Sequence, residues 1–338
     1  MKLLVTGGAG FIGSTYVRRR LAERPADRIV VLDKLTYAGR RENLEGAAAD
    51  RLELVEGDVA DRGAVAAAIS GCDAVVNFAA ESHVDRSIED PGAFIQTDVY
   101  GTFVLLEAAR RAGIRHLQIS TDEVYGSIAE GSFTEASPIE PSSPYSASKA
   151  GGDLLVGAYQ RTYGADALIV RASNNYGPRQ HPEKLIPLCI LNALAGDSLP
   201  VYGDGMQVRN WLFTEDFAAA IDVVLEAGEA GAVYNVGGPE ELPNIEVIER
   251  ILELTRRDAS LIEHVSDRLG HDRRYSLASE RTESLGWSAE VGFEQGIART
   301  VAWYRENEDW WGPIRSGEYR EYYARQYGRE LGGSEAKA

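Results

Sequence analysis

The segment KLLVTGGAGFIG, residues 2–13, decides the fold. It joins a short apolar run, which predicts a buried strand, to glycines at positions 7, 10 and 13 and then to a helical pattern. Glycines at this spacing allow a tight turn and let the backbone approach a pyrophosphate, which binds where the unpaired N–H groups of a helix begin. The segment therefore predicts a strand–turn–helix unit that binds a dinucleotide.

The same alternation continues outward from this segment. Stretches of helical pattern separate further runs rich in Val, Ile and Leu, at residues 28–33, 52–58, 73–80, 116–120 and 167–173. Continuous apolar strands with helices between them are typical of a parallel sheet that is covered on both faces. We therefore predict an α/β fold, a doubly wound parallel sheet of the Rossmann type, with a smaller C-terminal domain that binds the substrate.

The domain boundaries are predicted from a change in this rhythm. After about Asn174, prolines interrupt the chain and the strands become short. A helical pattern at 215–227 and a strand pattern at 233–236 then resemble the first half again. We predict a dinucleotide-binding domain of residues 1–176 with a returning segment at about 207–239. The rest of 177–327 would form the second domain, and the polar residues 328–338 a disordered tail.

Composition excludes several classes of partner. The chain has 338 residues, and 35 basic against 52 acidic side chains give a net charge of −17. This charge argues against nucleic acid and anionic membranes as partners. No run approaches the roughly 20 apolar residues of a membrane helix, and no apolar signal segment precedes the first strand, so we expect a cytoplasmic protein. The two cysteines have no metal-ligand spacing, so we expect reduced thiols and no metal site.

Two acidic residues indicate which dinucleotide binds. Asp33 ends the second predicted strand, where a carboxylate accepts hydrogen bonds from ribose hydroxyls and repels a 2′-phosphate. Asp58 ends the third strand and suits the edge of the adenine. The sequence therefore predicts NAD, rather than NADP, as the cofactor.

The motif YSASK, residues 145–149, places Tyr145 and Lys149 four positions apart on a predicted helix, so both lie on one face. Together with the glycine motif, it resembles the short-chain dehydrogenase/reductase superfamily in its extended, sugar-nucleotide branch. The resemblance implies that the Lys149 cation lowers the pKa of the Tyr145 phenol and holds the nicotinamide ribose. The tyrosinate would then remove a hydroxyl proton as hydride leaves for NAD.

The segment STDEVYG, residues 120–126, places Asp122 and Glu123 directly after the fifth predicted strand. Adjacent like charges at the edge of a core cost stability unless one is neutral or both are used. The triplet Thr121–Glu123 resembles the nucleoside-diphosphoglucose 4,6-dehydratases, of which the dTDP-glucose enzymes are typical. The same resemblance is carried by AAESHVDRSI (79–88), NNYGP (174–178), HPEKLIP (181–187), YGDG (202–205) and GHDRRYSL (270–277).

The chemistry that this resemblance implies uses both acids. Oxidation of the sugar's C4 hydroxyl makes the C5 proton acidic, so that Glu123 would remove it while Asp122 protonates the departing C6 hydroxyl. Thr121 would hydrogen-bond the C4 oxygen beside Tyr145. Because adjacent side chains of a strand face opposite ways, both acids reach one sugar only if the strand ends before Asp122.

The remaining site residues are spread along the chain. The predicted cofactor-binding residues are Gly7, Gly10, Phe11, Ile12, Gly13, Asp33, Lys34, Leu35, Thr36, Asp58, Val59, Phe78, Ala79, Ala80, Ser82, Thr97, Tyr145, Lys149 and Asn175. By the resemblance, the residues that bind the nucleotide-sugar substrate are Ser82, Thr121, Asp122, Glu123, Asn174, Lys184, Leu185, Pro200, Val201, Tyr202, Arg209, Asn244, His271, Asp272, Arg273, Arg274 and Tyr275. The basic residues among them are candidates for binding the diphosphate.

Alternatives stay open at this point. A C4 epimerase or a sugar-acid decarboxylase of the same branch would keep Tyr145 and Lys149 but has no use for both acids. A non-catalytic NAD-binding regulator on the same fold could lose either residue. Three positions depart from the family pattern, namely Asp98 for asparagine, Phe217 for histidine and Leu269 for proline, and the nucleobase is not decided. The resemblance also implies a homodimer through a four-helix bundle of the helices near 92–112 and 144–163.

Overall fold

The computed structural model describes residues 1–316 and 318–327, so the predicted tail at 328–338 lies outside the described residues. Its twelve strands are β1 Lys2–Thr6, β2 Arg28–Asp33, β3 Leu52–Glu56, β4 Ala74–Asn77, β5 Arg115–Thr121, β6 Ala167–Ala172, β7 Asn174–Tyr176, β8 Leu199–Tyr202, β9 Val208–Phe213, β10 Val233–Val236, β11 Glu240–Pro243 and β12 Ile262–Val265. Seven of them form one sheet in the order β10-β6-β5-β4-β1-β2-β3.

The helices lie mostly between these strands. They are α1 Phe11–Glu23, α2 Arg62–Ala68, α3 Val84–Glu89, α4 Pro91–Phe94, α5 Thr102–Ala112, α6 Pro144–Tyr163, α7 Leu185–Ala195, α8 Thr214–Ala227, α9 Asn244–Thr255, α10 Glu280–Glu283, α11 Phe293–Glu306, α12 Glu308–Trp311 and α13 Glu318–Tyr327. A π-helical stretch, Ile95–Gly101, joins α4 to α5, and short 3₁₀ turns occupy Arg41–Leu44, Asp122–Tyr125 and Ala259–Leu261.

All strand pairs of the seven-stranded sheet are parallel, and both of its faces are buried. On β1, Leu3 and Val5 pack into a core with α1 and α8, whereas Leu4 packs into a core with α2 and α5. Alternate residues of one strand therefore meet helices on opposite faces. This confirms the predicted doubly wound α/β fold. The strand order reverses at β1, which lies between β2 and β4, and ligands of such sheets bind in the crevice outside this point.

The second half of the chain adds a separate apolar core around Tyr176, Trp211 and Phe293. A three-stranded sheet (β11-β9-β7) and a parallel pair (β12-β8) accompany it. Along the chain, β10 lies between β9 and β11, but it pairs with β6 and adds the seventh strand to the main sheet. Helix α8, which precedes β10, packs against α1. The chain thus returns to the first sheet before it leaves it again. The exact division into two domains stays a prediction.

A contact between distant parts of the chain supports the glycine-rich turn. The amide of Asn43 donates to the Ala9 carbonyl at 2.8 Å, and its oxygen accepts from the indole N–H of Trp310 at 2.9 Å. The Arg40 guanidinium donates to the Trp310 carbonyl at 2.7 Å. We call Arg40, Asn43 and Trp310 the tryptophan clasp. It ties α12 to the loop that follows β2.

Within residues 1–316 and 318–327, no helix is long and apolar enough to cross a membrane. The same residues contain no group of three or more His, Cys, Asp or Glu side chains arranged to hold a metal ion.

Candidate active site

The glycine-rich turn forms a cradle that larger residues could not form. Gly7 has a φ of +67°, and a Cβ there would lie 2.6 Å from the backbone nitrogen of Ala79. A Cβ on Gly13 would lie 2.4 Å from the Gly7 carbonyl oxygen. Helix α1 begins after Gly10 without a side-chain cap, so its first N–H groups are open to a ligand. This geometry fits a pyrophosphate at the N-terminus of α1.

Asp33 is held rigidly at the end of β2. Its two carboxylate oxygens accept the backbone N–H groups of Ala9, at 2.8 Å, and Leu35, at 2.9 Å. Burial raises the pKa of Asp33, and the two N–H groups oppose that rise. Leu35 itself adopts a φ of +53°. It contributes through its backbone, because its side chain packs against the core rather than along the cavity described next.

A cavity of about 300 Å³ lies along the carboxyl edge of the main sheet. Every predicted cofactor-binding residue except Leu35 lines it. The catalytic candidates Thr121, Asp122, Glu123, Tyr145 and Lys149 line the same cavity. The structure thus brings the dinucleotide cradle and the candidate catalytic groups into one continuous space. The residues present fit NAD.

We expect Asp33→Ala to weaken NAD binding by about tenfold or more, since it removes charge-assisted hydrogen bonds to the ribose. Discrimination against NADP should shrink as well, because the repelling charge is gone. Calorimetric titration with both cofactors measures the two effects. Asp33→Asn is the matched control, since it keeps the side chain's size and an acceptor oxygen but removes the charge. Unchanged cofactor preference in both variants would mean that another residue contacts the ribose.

The strand that precedes the two acids ends before Asp122, as both acids need if they are to reach one sugar. Strand β5 ends at Thr121, and a 3₁₀ turn begins at Asp122. The Thr121 hydroxyl donates to Oδ1 of Asp122 at 3.2 Å and accepts the N–H of Glu123 at 3.3 Å. The Asp122 Oδ2 atom is buried and has no hydrogen-bond partner within the described residues. Both carboxyl groups therefore border one cavity although they are adjacent in sequence.

The surroundings of the two acids separate their protonation states. Burial, and then the charge of Glu123, raise the pKa of Asp122 to about 8. Burial also raises the pKa of Glu123, but Arg268, Arg209 and Lys184 oppose that rise. Asp122 is therefore protonated near neutral pH, while three cations favour the ionised form of Glu123. This is the division that an acid and a base working together need.

Burial opposes the ionisation of Tyr145 that the sequence resemblance implies. The sequence resemblance implies a lowered phenol pKa, whereas burial, and then the charge of Glu123, raise the pKa of Tyr145 well above its usual range. The Thr121 hydroxyl partly opposes this rise. Lys149 donates to the Ile119 carbonyl at 2.7 Å, which fixes its ammonium group at the end of β5. Helix α6, which carries both residues, begins with a reciprocal Ser143–Ser146 cap.

A second cavity of about 170 Å³ adjoins the first. Seven residues border both cavities, and four of them are predicted substrate-binding residues, namely Ser82, Glu123, Asn174 and Lys184. The other predicted substrate-binding residues that line the second cavity are Leu185, Pro200, Tyr202, Arg209, Asn244 and His271. The carboxyl group of Glu123 therefore lies where the two cavities meet.

Five predicted substrate-binding residues lie outside both cavities. Val201 is buried in the second core. The guanidinium carbon of Arg209 lies 4.2 Å from the centre of the Tyr275 ring, and Arg209 donates to the Asp272 carbonyl at 3.0 Å. Tyr275 and Asp272 therefore orient Arg209 without lining either cavity. The others, Arg273 and Arg274, pair at 2.8 Å with Asp204 and Glu241 respectively.

The sequence analysis missed Arg268, which lines the second cavity. Its Nε is buried without a hydrogen-bond partner in the described part of the chain, and its guanidinium lies 3.8 Å from Asp85. The signal was present, because Arg268 precedes Leu269 in the segment RLGHD. Leu269, the residue that departs from proline, is 79% exposed and does not line the cavity, whereas its neighbours Arg268 and His271 do. Phe217, the departure from histidine, lines the first cavity.

Comparison with known proteins agrees with this arrangement. The sequence model of the GDP-mannose 4,6 dehydratase family matches residues 4–300. The low-salt glycan biosynthesis protein Agl12 of Haloferax volcanii is 52% identical, over 91% of this chain and 100% of its own. A dTDP-glucose 4,6-dehydratase of Streptomyces niveus is 50% identical, over 94% of this chain and 96% of its own.

A solved structure extends the similarity to three dimensions. DesIV, a dTDP-glucose 4,6-dehydratase from Streptomyces venezuelae crystallised with NAD bound, is 54% identical to this chain. The match covers 93% of this chain and 100% of DesIV, with a TM-score of 0.90. Because the family model and these relatives each span most of its length, the chain belongs to the dTDP-glucose 4,6-dehydratase family of the extended short-chain dehydrogenase/reductases.

Proposed function

We propose that this protein is an NAD-dependent hydro-lyase that converts dTDP-glucose to dTDP-4-keto-6-deoxyglucose. One observation carries the proposal. Two neighbouring carboxyl groups line the dinucleotide cavity: Asp122, whose pKa is raised to about 8, and Glu123, which also borders the second cavity and faces three cations. Loss of water between C5 and C6 needs one acid and one base at the same time.

The residues act in a fixed order. NAD, when bound, supplies a hydride acceptor for C4 and afterwards a hydride donor for C6. Tyr145 removes the proton of the C4 hydroxyl, whose oxygen Thr121 hydrogen-bonds. Glu123 then removes the C5 proton and Asp122 protonates the C6 hydroxyl, which leaves as water. The proton held by Glu123 finally returns to C5, so that the product keeps its C4 ketone and gains a methyl group. The proton that Tyr145 gained from the C4 hydroxyl balances the one that Asp122 gave to the departing water, and proton exchange with solvent returns both residues to their starting states.

The second cavity fits an anionic substrate. Arg209, Lys184 and Arg268 are the basic residues that we assign to the diphosphate, and all three act on the pKa of Glu123. A guanidinium matches two phosphate oxygens at once, which a single ammonium group cannot do. These cations therefore hold the nucleotide and oppose the rise in the pKa of Glu123 that burial causes. Their position explains how a chain of net charge −17 binds an anion.

The alternatives use this arrangement less completely. A C4 epimerase or a sugar-acid decarboxylase needs Tyr145 and Lys149 but has no proton to move through both Asp122 and Glu123. A non-catalytic NAD-binding regulator has no need to bring all five catalytic candidates to one cavity. The different surroundings of the two acids, with the pKa of Asp122 raised by burial and by Glu123 and with cations facing Glu123, favour the dehydratase.

An isotope experiment tests the proposed function. Substrate labelled with deuterium at C4 should give a product with deuterium at C6, without stoichiometric added NAD, because the hydride taken from C4 is returned within one closed site. Mass spectrometry of the product, formed in ordinary water, measures the label and its position. A product that keeps its C6 hydroxyl and is inverted at C4 would show an epimerase instead. Deuterium lost to solvent would contradict the proposal.

We also propose that the protein is a homodimer. Large apolar side chains are exposed on the two segments that the family resemblance assigns to the interface: Ile95 (53%) and Tyr100 (37%) beside α5, and Leu154 (59%) and Tyr163 (57%) on α6. Residues of this size are seldom left to water in such a group. Sedimentation velocity gives the mass that distinguishes a dimer from a monomer.

A further inference from the structure

Asp98, which stands where asparagine is common in the family, occupies an unusual place beside the catalytic helix. It belongs to the π-helical stretch Ile95–Gly101, which packs against α6, and it is 1% exposed. Its Oδ2 atom lies 2.6 Å from the Ser148 hydroxyl, and its Oδ1 atom is buried with no hydrogen-bond partner in the described residues. The preceding residue, Thr97, lines the dinucleotide cavity. π-Helical segments are rare and are frequently found at functional sites.

The hydrogen count at Ser148 indicates which form Asp98 takes. The Ser148 hydroxyl lies 2.6 Å from Oδ2 of Asp98 and 2.7 Å from the Tyr145 carbonyl oxygen. A carbonyl can only accept, and a serine has one hydrogen to donate. Both contacts are hydrogen bonds only if Asp98 carries a proton and donates it to Ser148. An ionised Asp98 would take the serine hydrogen and leave the contact with Tyr145 without one.

The charges around Asp98 are those of the catalytic centre. Lys149 and Tyr145 face it from α6, together with the Ser148 hydroxyl, and Glu81 faces it from the segment after β4. The backbone N–H of Glu81 also acts to lower the pKa of Asp98. Burial raises the pKa of Asp98 to about 7, against the Lys149 cation and the Ser148 hydroxyl. An ionised Asp98 in turn opposes the ionisation of Tyr145.

We propose that Asp98 is a positioning residue that holds a proton in the active protein, completes the Ser148–Tyr145 contact as a neutral acid, and slows proton removal by Tyr145 once it ionises. The proposal rests on the proposed function only for the role of Tyr145 in oxidising C4. This step is common to the dehydratase and the epimerase. It gives the chain a response to pH that an asparagine at this position would not have.

The variant Asp98→Asn tests the proposal, because its amide can donate to Ser148 as the neutral acid does but cannot ionise. The readout is the rate at which reduced nicotinamide forms in a single turnover, followed between about pH 6 and about pH 9. We expect the two proteins to agree within about twofold at the acidic end. Near pH 8 the variant should be roughly threefold faster or more, since its tyrosine loses its proton without a neighbouring negative charge.

A second readout detects the proton without any catalysis. The folded-state pKa of Asp98 lies above its unfolded value, so its contribution to stability is present below about pH 4 and is lost as the pH rises through about 7. The Asn variant has no such loss. The difference in melting temperature between variant and parent, measured on the holoprotein, should therefore grow in favour of the variant between about pH 5 and about pH 8.

Three results would contradict the proposed role of Asp98. Superimposable rate profiles across the whole pH range would overturn the proposal, and so would a folded variant that is slow at every pH, since that result would require the charge itself. A constant difference in melting temperature would show that Asp98 does not titrate in this range. The readout is C4 oxidation, which precedes loss of water, so these failures are distinct from a failure of the isotope experiment.

Discussion

Glu123→Gln leaves a protein that oxidises C4 of the sugar but does not eliminate water. Glutamine keeps the size of the side chain and can still hydrogen-bond the substrate, but it cannot accept the C5 proton. Loss of a positioned general base costs about 10²- to 10⁴-fold in rate. We therefore expect reduced nicotinamide to accumulate to a level close to that of the sites, while product formation falls by about 10²-fold or more. Absorbance of the reduced nicotinamide and chromatography of the sugar nucleotide measure the two quantities.

Glu130→Gln is the matched control for this variant. Glu130 is exposed and lines neither cavity, so its neutralisation removes one charge from the same loop region without touching the site. The control should turn over at the parent rate. Product formed at the parent rate by Glu123→Gln, with no build-up of reduced nicotinamide, would mean that another residue removes the C5 proton.

Tyr145→Phe blocks the reaction one step earlier. The phenyl ring keeps the edge-to-face contact with Phe94, whose centroid lies 6.2 Å away, so the local packing survives. Without the phenol oxygen nothing takes the C4 hydroxyl proton, and we expect C4 oxidation to fall by about 10²- to 10⁴-fold. No reduced nicotinamide should appear. The two variants therefore fail on opposite sides of the same intermediate.

Stopped-flow absorbance after mixing with substrate measures this second effect. Tyr163→Phe, on the same helix, removes a phenol oxygen remote from the cavities but keeps the ring that the proposed dimer would bury, so it should leave the rate unchanged. Nicotinamide reduction at the parent rate in Tyr145→Phe would assign the C4 proton to another group.

The sheet was predictable because its strands are buried on both faces. Continuous apolar runs such as Leu3–Val5 show no alternation of polar and apolar residues, which is typical of strands buried on both faces. A glycine-rich turn that follows such a strand and begins a helix, as at Gly7, is typical of a dinucleotide site. The end of β5 was also predictable, because two adjacent carboxylates cannot both continue a buried strand. Local sequence carries these features, since they depend on neighbours within one or two elements.

The residues that we assign to the diphosphate were harder to predict from the sequence. The chain turns at Gly270, with a φ of +64°, and then runs beside β9, where the N–H of Val208 donates to the Arg273 carbonyl at 2.8 Å. Arg268 and His271 lie on either side of Gly270 and border the cavity. Arg273 and Arg274 come later in the chain and form ion pairs with Asp204 and Glu241 instead. Neither segment alone predicts a backbone pairing between residues that are 65 positions apart in the sequence.

The direction of the Tyr145 pKa was unpredictable for a related reason. The motif shows that Lys149 follows one turn later, but it does not show how deeply the phenol is buried or that Glu123 and Asp98 face it. Burial is a property of the assembled core, and here it is the largest of the effects that raise the pKa of Tyr145. Sequence therefore identified the groups of the site, and the fold set their proton affinities.

The tryptophan clasp has a consequence for the order in which the protein can be made. Trp310 reaches back over 267 positions to Asn43, whose amide supports the Ala9 carbonyl in the glycine-rich turn. During synthesis the bond from Asn43 to Ala9 can form early, whereas the hydrogen bonds that join Trp310 to Asn43 and Arg40 form only after residue 310 has left the ribosome. The loop that follows β2 is therefore translated early but gains these contacts late.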